Sequence, residues 1–504
     1  MKKKALLLFI LRILKLGLGI LTLSISARYF GLSIDRDEWV LAMGFILVLD
    51  TAIWGPINET FRAKFVFLQH EIGNEASLAK AKSMFSFINF VTAILVVIIL
   101  VYPRILTKVI APNYSEAQLV HLTTMILILT PSFLFNQICQ FLTSVLNAYN
   151  TFYVPEITGL VTSILNIVLI ITLAPIIGIY SLALGYYAGI LLLLTLLVLR
   201  LKKLNIAVIG NPFKFKPSDI KPFVLFSLPF FLPYFLGQFN TVVEKSIAST
   251  LNVGTVSMID YARKFPESVI TVLTSIFTTM LLPTLSSMSA KEDRDGFLFE
   301  FKSMYQLSFL IMTFLVSLFS ACPSAVINLL YNKGSIGISG LTQISNLCML
   351  YCWAALVVFL YIIFGIALLS SGKGKTYAFF GSIAQVIMIG LNFSMVKILG
   401  VYTFPLSLLI SHLAVAVILF TKFPIKGNKL IATTIKGILQ IMVCSCTLYL
   451  LNHNINMVNS FHPLIIIIFN LLFILLFVLG FAYLLKTEDR QIIEKVISKT
   501  KAYF

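Results

Sequence analysis

Six ionisable side chains lie within two neighbouring apolar segments between Asn240 and Pro283, namely Glu244, Lys245, Asp260, Arg263, Lys264 and Glu267. Such groups are exceptional in a chain that is 59% hydrophobic. An ionisable group at membrane depth costs at least roughly 2.5 kcal/mol even on lenient scales, so it normally faces a water-filled cavity or a partner. The cluster therefore indicates a polar interior. The alternative is that some of these groups lie in the Ser249–Met258 loop or at a helix mouth and simply contact water.

Further polar positions occur in the first two apolar segments. Arg12 and Lys15 are three positions apart and share one face of the first helix. Lys15 either extends its long stem to the cytoplasmic surface or lines a cavity. The second segment carries Asp50, and its Gly55-Pro56 pair is expected to bend the helix and to turn backbone carbonyls towards the interior.

Prolines interrupt the segment that leads into the charged cluster. Pro229 and Pro233 predict a flexible or broken helix, which suits a moving gate. Asn240 and Glu244 follow, and together with Asp50 they are candidates for binding a coupling cation, Na⁺ or H⁺. Such coupling is expected because no nucleotide site is recognisable. The energy source for transport is then an ion gradient or the membrane potential. The membrane potential supplies about 2.3 kcal/mol per charge per 100 mV.

No constellation of residues predicts catalysis or a bound cofactor. The six cysteines lie in or beside apolar segments and lack the paired motifs of metal or redox sites, so we interpret them as small buried hydrophobes. The run Gly372–Thr376 resembles a fragment of a phosphate-binding loop. It lacks the upstream glycine and the strand-to-helix context that such a loop requires, and a basic turn explains it. We expect a transporter rather than an enzyme.

The elements that position these residues are membrane-spanning helices. Mean hydropathy is +0.97, and apolar runs long enough to cross a hydrocarbon core of about 30 Å recur along all 504 residues. We predict an all-α polytopic membrane protein with fourteen spans: 5–28, 38–58, 83–103, 119–145, 154–175, 177–199, 222–248, 262–283, 304–323, 341–369, 376–398, 401–421, 430–452 and 461–485.

Basic residues accumulate in alternate connections, on the side that begins with Lys2–Lys4. By the positive-inside rule, both termini are expected in the cytoplasm. The net charge of +18 is then mostly topological and does not indicate nucleic-acid binding. The basic, amphipathic tail 486–504 is expected to lie on the anionic inner leaflet, and we expect a monomer surrounded by membrane lipids.

An internal repeat divides the chain. Asn166 and Gly178–Tyr180 recur as Asn392 and Gly400–Tyr402, each as a span with an asparagine followed by a tight glycine reversal. The repeats are parallel, which predicts two pseudo-symmetric six-helix lobes that rock to give alternating access. The predicted parts are an N-lobe (1–200), a cytoplasmic linker (201–221), a C-lobe (222–421), two further C-terminal spans (422–485) and the tail (486–504).

Several stretches resemble the MurJ (MviN) family of lipid II flippases, within the multidrug/oligosaccharidyl-lipid/polysaccharide exporter superfamily. They are Ala27–Gly31 with Asp37, Leu146–Tyr149 with Asn166, Gly178–Gly185, Gly254–Ser257, Tyr261-Ala262 with Lys264, and Leu281–Ser286. The resemblance implies a two-lobed, fourteen-helix fold with a cationic cavity. It also implies that an undecaprenyl-pyrophosphate-linked saccharide is turned over in the inner membrane, and that the last two spans form a groove for the lipid tail.

The chain departs from that pattern in its first lobe. The family's lipid II flippases carry two arginines in span one and one in span two, where this chain has Leu16, Thr22 and Asp50. Pyrophosphate needs cationic, hydrogen-bonding walls. The candidate substrate-binding residues are therefore the cations that remain, Lys264, Arg263, Arg12, Lys15 and Lys245. The saccharide is either that of lipid II or another lipid-linked unit, such as one for O-antigen or capsule.

Two other functions stay open at this stage. A cation-coupled small-molecule or drug exporter of the same superfamily would have acidic residues dominating its cavity, whereas a flippase would have net positive walls. A non-transporting scaffold for envelope assembly would tolerate loss of the cavity charges.

Overall fold

The computed structural model describes residues 2–149, 151–332, 334–423, 428–455 and 461–484. Within these ranges the chain forms eighteen α-helices and no strand, which confirms the all-α prediction. The predicted basic tail, 486–504, lies outside the described residues, and so does the side chain of Arg12.

The helices follow one another along the chain, and among the described residues the longest connection between them is 204–216. The first nine are α1 (Lys2–Phe30), α2 (Ile34–Ile72), α3 (Asn74–Val101), α4 (Pro103–Ile110), α5 (Glu116–Ala148), α6 (Tyr153–Ile177), α7 (Tyr180–Lys203), α8 (Pro217–Ser227) and α9 (Phe231–Ser249). The others are α10 (Thr255–Ile276), α11 (Leu282–Ala290), α12 (Arg294–Ala321), α13 (Pro323–Tyr331), α14 (Ile338–Ser370), α15 (Gly374–Leu399), α16 (Thr403–Thr421), α17 (Asn428–Asn454) and α18 (Pro463–Leu484).

In the described part, eleven helical stretches are long and apolar enough to cross a membrane. One of them, Gly374–Thr421, contains both α15 and α16, which a 3₁₀ turn at Gly400–Tyr402 separates. The chain is thus a multi-pass membrane protein. All fourteen predicted spans fall on helical segments, but their number stays a prediction, because α1 and α10 are not among the eleven.

The chain divides into two compact units, residues 1–257 and 258–504. In the first unit α2 packs along α5 and α9, and α6 packs along α7 and α1. In the second, α14 packs on α16, and α12 packs on α17. The division lies beyond the predicted lobe boundary at residue 222, because α8 and α9 pack against α2. The predicted lobes describe a repeat rather than these packing units, and they stay a prediction.

The repeated asparagines occupy similar places in the two units. Asn166 of α6 lies against Gly185 of α7, where an added Cβ would come 2.1 Å from its Oδ1. Asn392 of α15 accepts a hydrogen bond from Ser407 of α16, 2.5 Å between Oδ1 and Oγ. Each asparagine thus meets the helix that follows a glycine reversal.

Proline has different effects in two helices. A 3₁₀ turn at Leu228–Phe230 contains Pro229 and interrupts the α-helical pattern between α8 and α9, although the two form one continuous helical stretch. Whether this turn acts as a gate stays a prediction. Pro233 lies in the first turn of α9, where a missing N–H costs little. By contrast α2 continues through Gly55-Pro56 to Ile72, and the Pro56 carbonyl accepts a hydrogen bond from Thr60 Oγ1 at 2.8 Å. The Gly-Pro pair therefore does not end α2.

Candidate functional site

A buried carboxylate is the centre of a polar network between α2 and α5. Asp50 is only 1% exposed. Its Oδ2 accepts hydrogen bonds from Asn136 Nδ2 and from Gln140 Nε2, the second at 2.6 Å. Asn136 and Gln140 are four positions apart, so one face of α5 presents both amides to α2.

A second group of amides extends this network. Asn58 lies two turns beyond Asp50 on α2, and its Nδ2 donates to Gln140 Oε1 at 2.8 Å and to Gln137 Oε1 at 3.2 Å. Gln137 Nε2 donates back to Asn58 Oδ1 at 3.2 Å. Since the oxygen of Gln140 accepts from Asn58, its nitrogen is the atom that faces Asp50. We call these five side chains the α2–α5 network: Asp50, Asn58, Asn136, Gln137 and Gln140.

An open cavity of about 390 Å³ adjoins the network within the first unit. Its walls combine amides, hydroxyls and one carboxylate: Thr51, Gly55, Asn58, Glu59, Asn136, Cys139, Gln140, Thr143, Ser144, Leu193 and Tyr234. These described lining residues include no lysine or arginine. The cavity can therefore exchange hydrogen bonds with a hydroxylated ligand or with water.

Gly55 allows α9 to approach α2 at the cavity wall. A Cβ at this position would lie 2.6 Å from Cδ1 of Tyr234. The tyrosine ring thus occupies the space that a side chain would fill, and its hydroxyl donates to Glu59 Oε2 at 3.5 Å. The predicted hinge residue therefore serves as a site of close helix packing.

The three candidate site residues of α9, namely Asn240, Glu244 and Lys245, are not among the described residues that line this cavity. The ammonium group of Lys245 donates to the carbonyl of Val40 at 3.2 Å and covers Gly44, so this cation packs against α2. Lys245 also borders a small, apolar pocket rather than the polar cavity. Asn240 and Glu244 are buried on the same helix.

Asp37 connects two stretches that are far apart in sequence. One carboxylate oxygen accepts from the backbone N–H of Gly254 at 2.6 Å. The other accepts from the N–H and the hydroxyl of Ser257, at 2.7 and 2.6 Å. Because an anion is stabilised by free N–H groups at a helix N-terminus, Asp37 caps the first turn of α10.

Tyr114 has an electrostatic interaction with the same carboxylate. Burial, and then the charges of Asp37 and Glu38, raise the pKa of Tyr114, which stays a neutral phenol.

In the second unit, α10 presents its basic residues at partly exposed positions. Arg263 Nε donates to Glu267, four positions along, and its guanidinium lies over the ring of Tyr351 of α14 at 5.9 Å. The side chain of Arg263 is 27% exposed and that of Glu267 is 52% exposed. Lys264 and Asp260 are half-buried.

Sequence comparison assigns the family. The sequence model described as lipid II flippase MurJ matches residues 26–475. The chain belongs to the MurJ lipid II flippase family. Membership confirms the resemblance seen in the motifs, and it makes the protein a membrane transporter that flips a lipid-linked saccharide. No curated protein sequence matches the chain.

Solved structures show the same fold. A structure of lipid II flippase MurJ in an inward closed conformation has a TM-score of 0.80 at 20% identity, covering 96% of this chain and 100% of that one. An inward-facing multidrug resistance transporter of the MATE family has a TM-score of 0.66 at 13% identity, covering 86% and 98%. A MOP superfamily transporter from Pyrococcus furiosus has a TM-score of 0.56 at 13% identity, covering 82% and 92%. At these identities the likeness concerns the fold alone.

Among the predicted site residues of this MurJ-family protein, Gly55 lines the cavity and Asp50 lies directly behind its wall. Lys15 is exposed and lies across Gly159 of α6, where an added Cβ would meet its Cε at 2.7 Å. Lys245, Arg263 and Lys264 are not lining residues of this cavity.

Sequence reasoning missed most of the cavity wall. Asn58, Glu59, Asn136, Gln140 and Tyr234 were not among the candidates, although all five lie in apolar helices. The available signal was the spacing of Asn136 and Gln140, two amides one turn apart in an otherwise apolar segment.

Proposed function

We propose that the protein moves an undecaprenyl-pyrophosphate-linked saccharide from the inner to the outer leaflet of the cytoplasmic membrane by alternating access. Family membership supports the reaction class. The observation that carries the saccharide assignment is the 390 Å³ cavity lined by amides, hydroxyls and a carboxylate. Such a surface is costly in a membrane protein unless a polar ligand or water contacts it.

The chemistry of this wall suits a sugar. Each sugar hydroxyl both donates and accepts, and the amides of Asn58 and Gln140 also offer both functions. Glu59 adds an ionisable acceptor, with Tyr234 holding it from α9. A saccharide that leaves water for this cavity can replace its lost hydrogen bonds, so its transfer across the membrane costs less.

The pyrophosphate requires cations, and the partly exposed basic residues are the best candidates. Arg263 and Lys264 of α10 supply a guanidinium and an ammonium group, and the guanidinium geometry suits bidentate contacts to phosphate. Lys15 and Arg12 of α1 are secondary candidates. Lys245 contributes less, because its ammonium group already binds the Val40 carbonyl.

The lipid tail can remain in the hydrocarbon during transfer. On α18, Leu464, Ile465, Ile468, Leu472 and Leu476 are exposed, and all are apolar. A polyprenyl chain could lie along this surface without losing favourable contacts, since it needs no polar shelter. The groove formed by α17 and α18 is therefore part of the proposal.

The positive-inside distribution of lysine and arginine supports an orientation with both termini in the cytoplasm. A monomer is sufficient for this mechanism, because the proposed sugar, phosphate and tail sites all lie on one chain.

Complementation tests the proposed function. The protein should sustain growth when a bacterial lipid II flippase is depleted, if lipid II is the substrate. Arg263→Ala with Lys264→Ala should fail to do so, whereas Lys291→Ala, which changes an exposed lysine at the end of α11, should still complement. Failure of the wild-type chain, together with export of another undecaprenyl-linked saccharide, would assign it to O-antigen or capsule units. Growth with the double variant would exclude these two residues as the pyrophosphate site and would favour a scaffold role.

A cation-coupled exporter of small molecules is the second candidate. One observation favours it, namely that the described cavity wall contains the acid Glu59 and no basic residue. This candidate predicts that cells expressing the protein tolerate cationic drugs better, and that Glu59→Gln removes the tolerance. The proposed flippase predicts no change in drug tolerance.

A further inference from the structure

Asp50 has an unsatisfied oxygen in the interior of the first unit. Its Oδ2 accepts two amide hydrogen bonds, but its Oδ1 is buried and has no hydrogen-bond partner among the described residues. The indole N–H of Trp54, one turn further along α2, is also buried without an acceptor, so it does not serve Oδ1. A carboxylate oxygen that is buried without a hydrogen-bond partner is unfavourable, and more so when the group is charged.

No cation among the described residues pairs with Asp50 to compensate for this burial. The described ion pairs do not include Asp50, and its direct partners are neutral amides. Tyr186 of α7 interacts electrostatically with Asp50 but carries no positive charge. The helices packed against α2 carry further ionisable groups. They are Glu75, Lys80 and Lys82 of α3, Glu116, His121 and Cys139 of α5, Asp219 and Lys221 of α8, and Tyr234, Glu244 and Lys245 of α9.

Several of these groups form ion pairs or hydrogen bonds with residues other than Asp50. Lys80 pairs with Asp219 at 3.8 Å, Tyr234 donates to Glu59, and Lys245 donates to Val40. On α2 itself Glu59 is exposed at the cavity, more than two turns from Asp50. The negative charge on Asp50 would thus be isolated in a medium of low polarity, which is strongly unfavourable.

The orientation of the amides distinguishes a proton from a metal cation. A sodium ion would require several oxygen ligands directed at one point. Here Asn136 and Gln140 direct their nitrogens at Asp50, and the oxygen of Gln140 is used by Asn58. The cage offers N–H donors rather than oxygens, so it does not form a cation site.

We propose that Asp50 is a proton-binding site, in exchange with the polar cavity through the wall that Asn136 and Gln140 form. A hydronium ion entering from the cavity transfers its proton to Oδ1, which forms an O–H bond and leaves a water molecule. The reverse step releases the proton to water. The neutral carboxyl keeps Oδ2 as an acceptor for both amides, so the α2–α5 network survives either state. Use of this proton to drive the transport cycle rests on the proposed function, whereas the binding itself does not.

Infrared spectroscopy of the purified, membrane-reconstituted protein tests the binding directly. A protonated buried carboxyl gives its own C=O stretching band. We expect a band that disappears as the medium becomes alkaline, that is absent in Asp50→Asn and that persists in Glu75→Gln, a control for an exposed acid on α3. If Asp50→Asn does not fold, Asp50→Glu should keep the band and shift its frequency. The proposal would be overturned if no alkali-sensitive band responded to either substitution, or if the band that responds to them were lost on adding Na⁺ at constant pH.

Flipping assays in vesicles test the proton-coupling role of Asp50 separately from the proposed flippase function. In vesicles, the wild-type flipping rate should differ with and without an imposed proton gradient, and the ratio of the two rates should fall to one in Asp50→Asn. Flipping that ignores the gradient in both proteins would overturn the coupling role while leaving the flippase assignment intact. If neither protein flips the lipid, the proposed function fails, and the infrared result still decides whether Asp50 binds a proton.

Discussion

The helix pair α2 and α5 buries its charged residue, whereas the pair α10 and α14 leaves its charged residue partly exposed. On α2, Asp50 is buried, and one of its carboxylate oxygens accepts hydrogen bonds from two neutral amides of α5. On α10, Arg263 lies over the face of Tyr351 of α14 and stays partly exposed, paired with an exposed glutamate. In the predicted repeat, α2 and α5 of the first lobe correspond to α10 and α14 of the second lobe. The two pairs nevertheless carry charges of opposite sign and different accessibility.

This difference suggests a division of roles. A desolvated carboxylate without a counter-ion cannot contact a bulky ligand, but it responds strongly to a proton. A half-exposed guanidinium can reach an anionic ligand without a large desolvation cost, and its contact with an exposed partner is weak enough to exchange. We therefore propose separate roles, with proton binding at the α2–α5 pair and anion binding at α10.

The largest expected effect follows from removing the acceptor of the α2–α5 network. Asp50→Leu leaves the N–H groups of Asn136 and Gln140 without their partner, at about 1–3 kcal/mol each, so unfolding in detergent should become easier by about 2–6 kcal/mol. Asp50→Asn retains one acceptor oxygen and should cost less than about 1 kcal/mol. Thermal unfolding of both variants measures this. Equal losses would mean that the amides do not depend on the Asp50 oxygen.

The next effect concerns the second pair. Replacing both Arg263 and Lys264 by alanine removes two charge-assisted contacts to pyrophosphate, worth at least about 1.5 kcal/mol each. Flipping should slow by roughly 100-fold, since each 1.4 kcal/mol is a factor of ten. Thermal stability should change little. A double variant that flips at the wild-type rate would remove α10 from the binding site.

The close approach of α2 and α9 gives a smaller effect. Gly55→Ala places a methyl group where the ring of Tyr234 lies, and overpacking of this kind costs about 1–3 kcal/mol. Gly17→Ala is the matched control, since an added Cβ there meets nothing within 4 Å. A thermal shift as small as that of the control would show that the two helices separate easily at Gly55.

The smallest effect should come from the exposed partner of Arg263. Glu267→Gln removes an ion pair between partly exposed side chains, and such pairs contribute about 0.2–1 kcal/mol. Stability should therefore change by less than 1 kcal/mol, and the change should shrink further at high salt. A loss as large as that of Asp50→Leu would contradict the contrast between the two helix pairs.

Much of the fold follows from local pattern. Long apolar runs predict helices at positions that the structure confirms, because a helix satisfies its own backbone hydrogen bonds within one segment. The 3₁₀ turn at Pro229 was also predictable from the missing N–H. The continuity of α2 through Gly55-Pro56 was not, because it depends on packing against α5 and α9 rather than on the local sequence.

The site was less accessible to sequence reasoning. The contact of Lys245 with Val40 spans 205 positions, and no periodicity reveals such a pair. The contact between Asp37 and Ser257 spans 220 positions, and only the family resemblance drew attention to both stretches. The pair of Arg263 and Glu267, by contrast, is a four-residue spacing that the sequence displays directly.

A reconstituted flipping assay tests the central claim most directly. Purified protein in vesicles should make a fluorescent undecaprenyl-pyrophosphate-linked saccharide in the inner leaflet accessible to a membrane-impermeant quencher outside. The wild-type chain should do so well above empty vesicles, and the variant with Arg263→Ala and Lys264→Ala should not. Exposure of the lipid at the rate of empty vesicles, alongside export of a cationic drug by the same vesicles, would contradict the account.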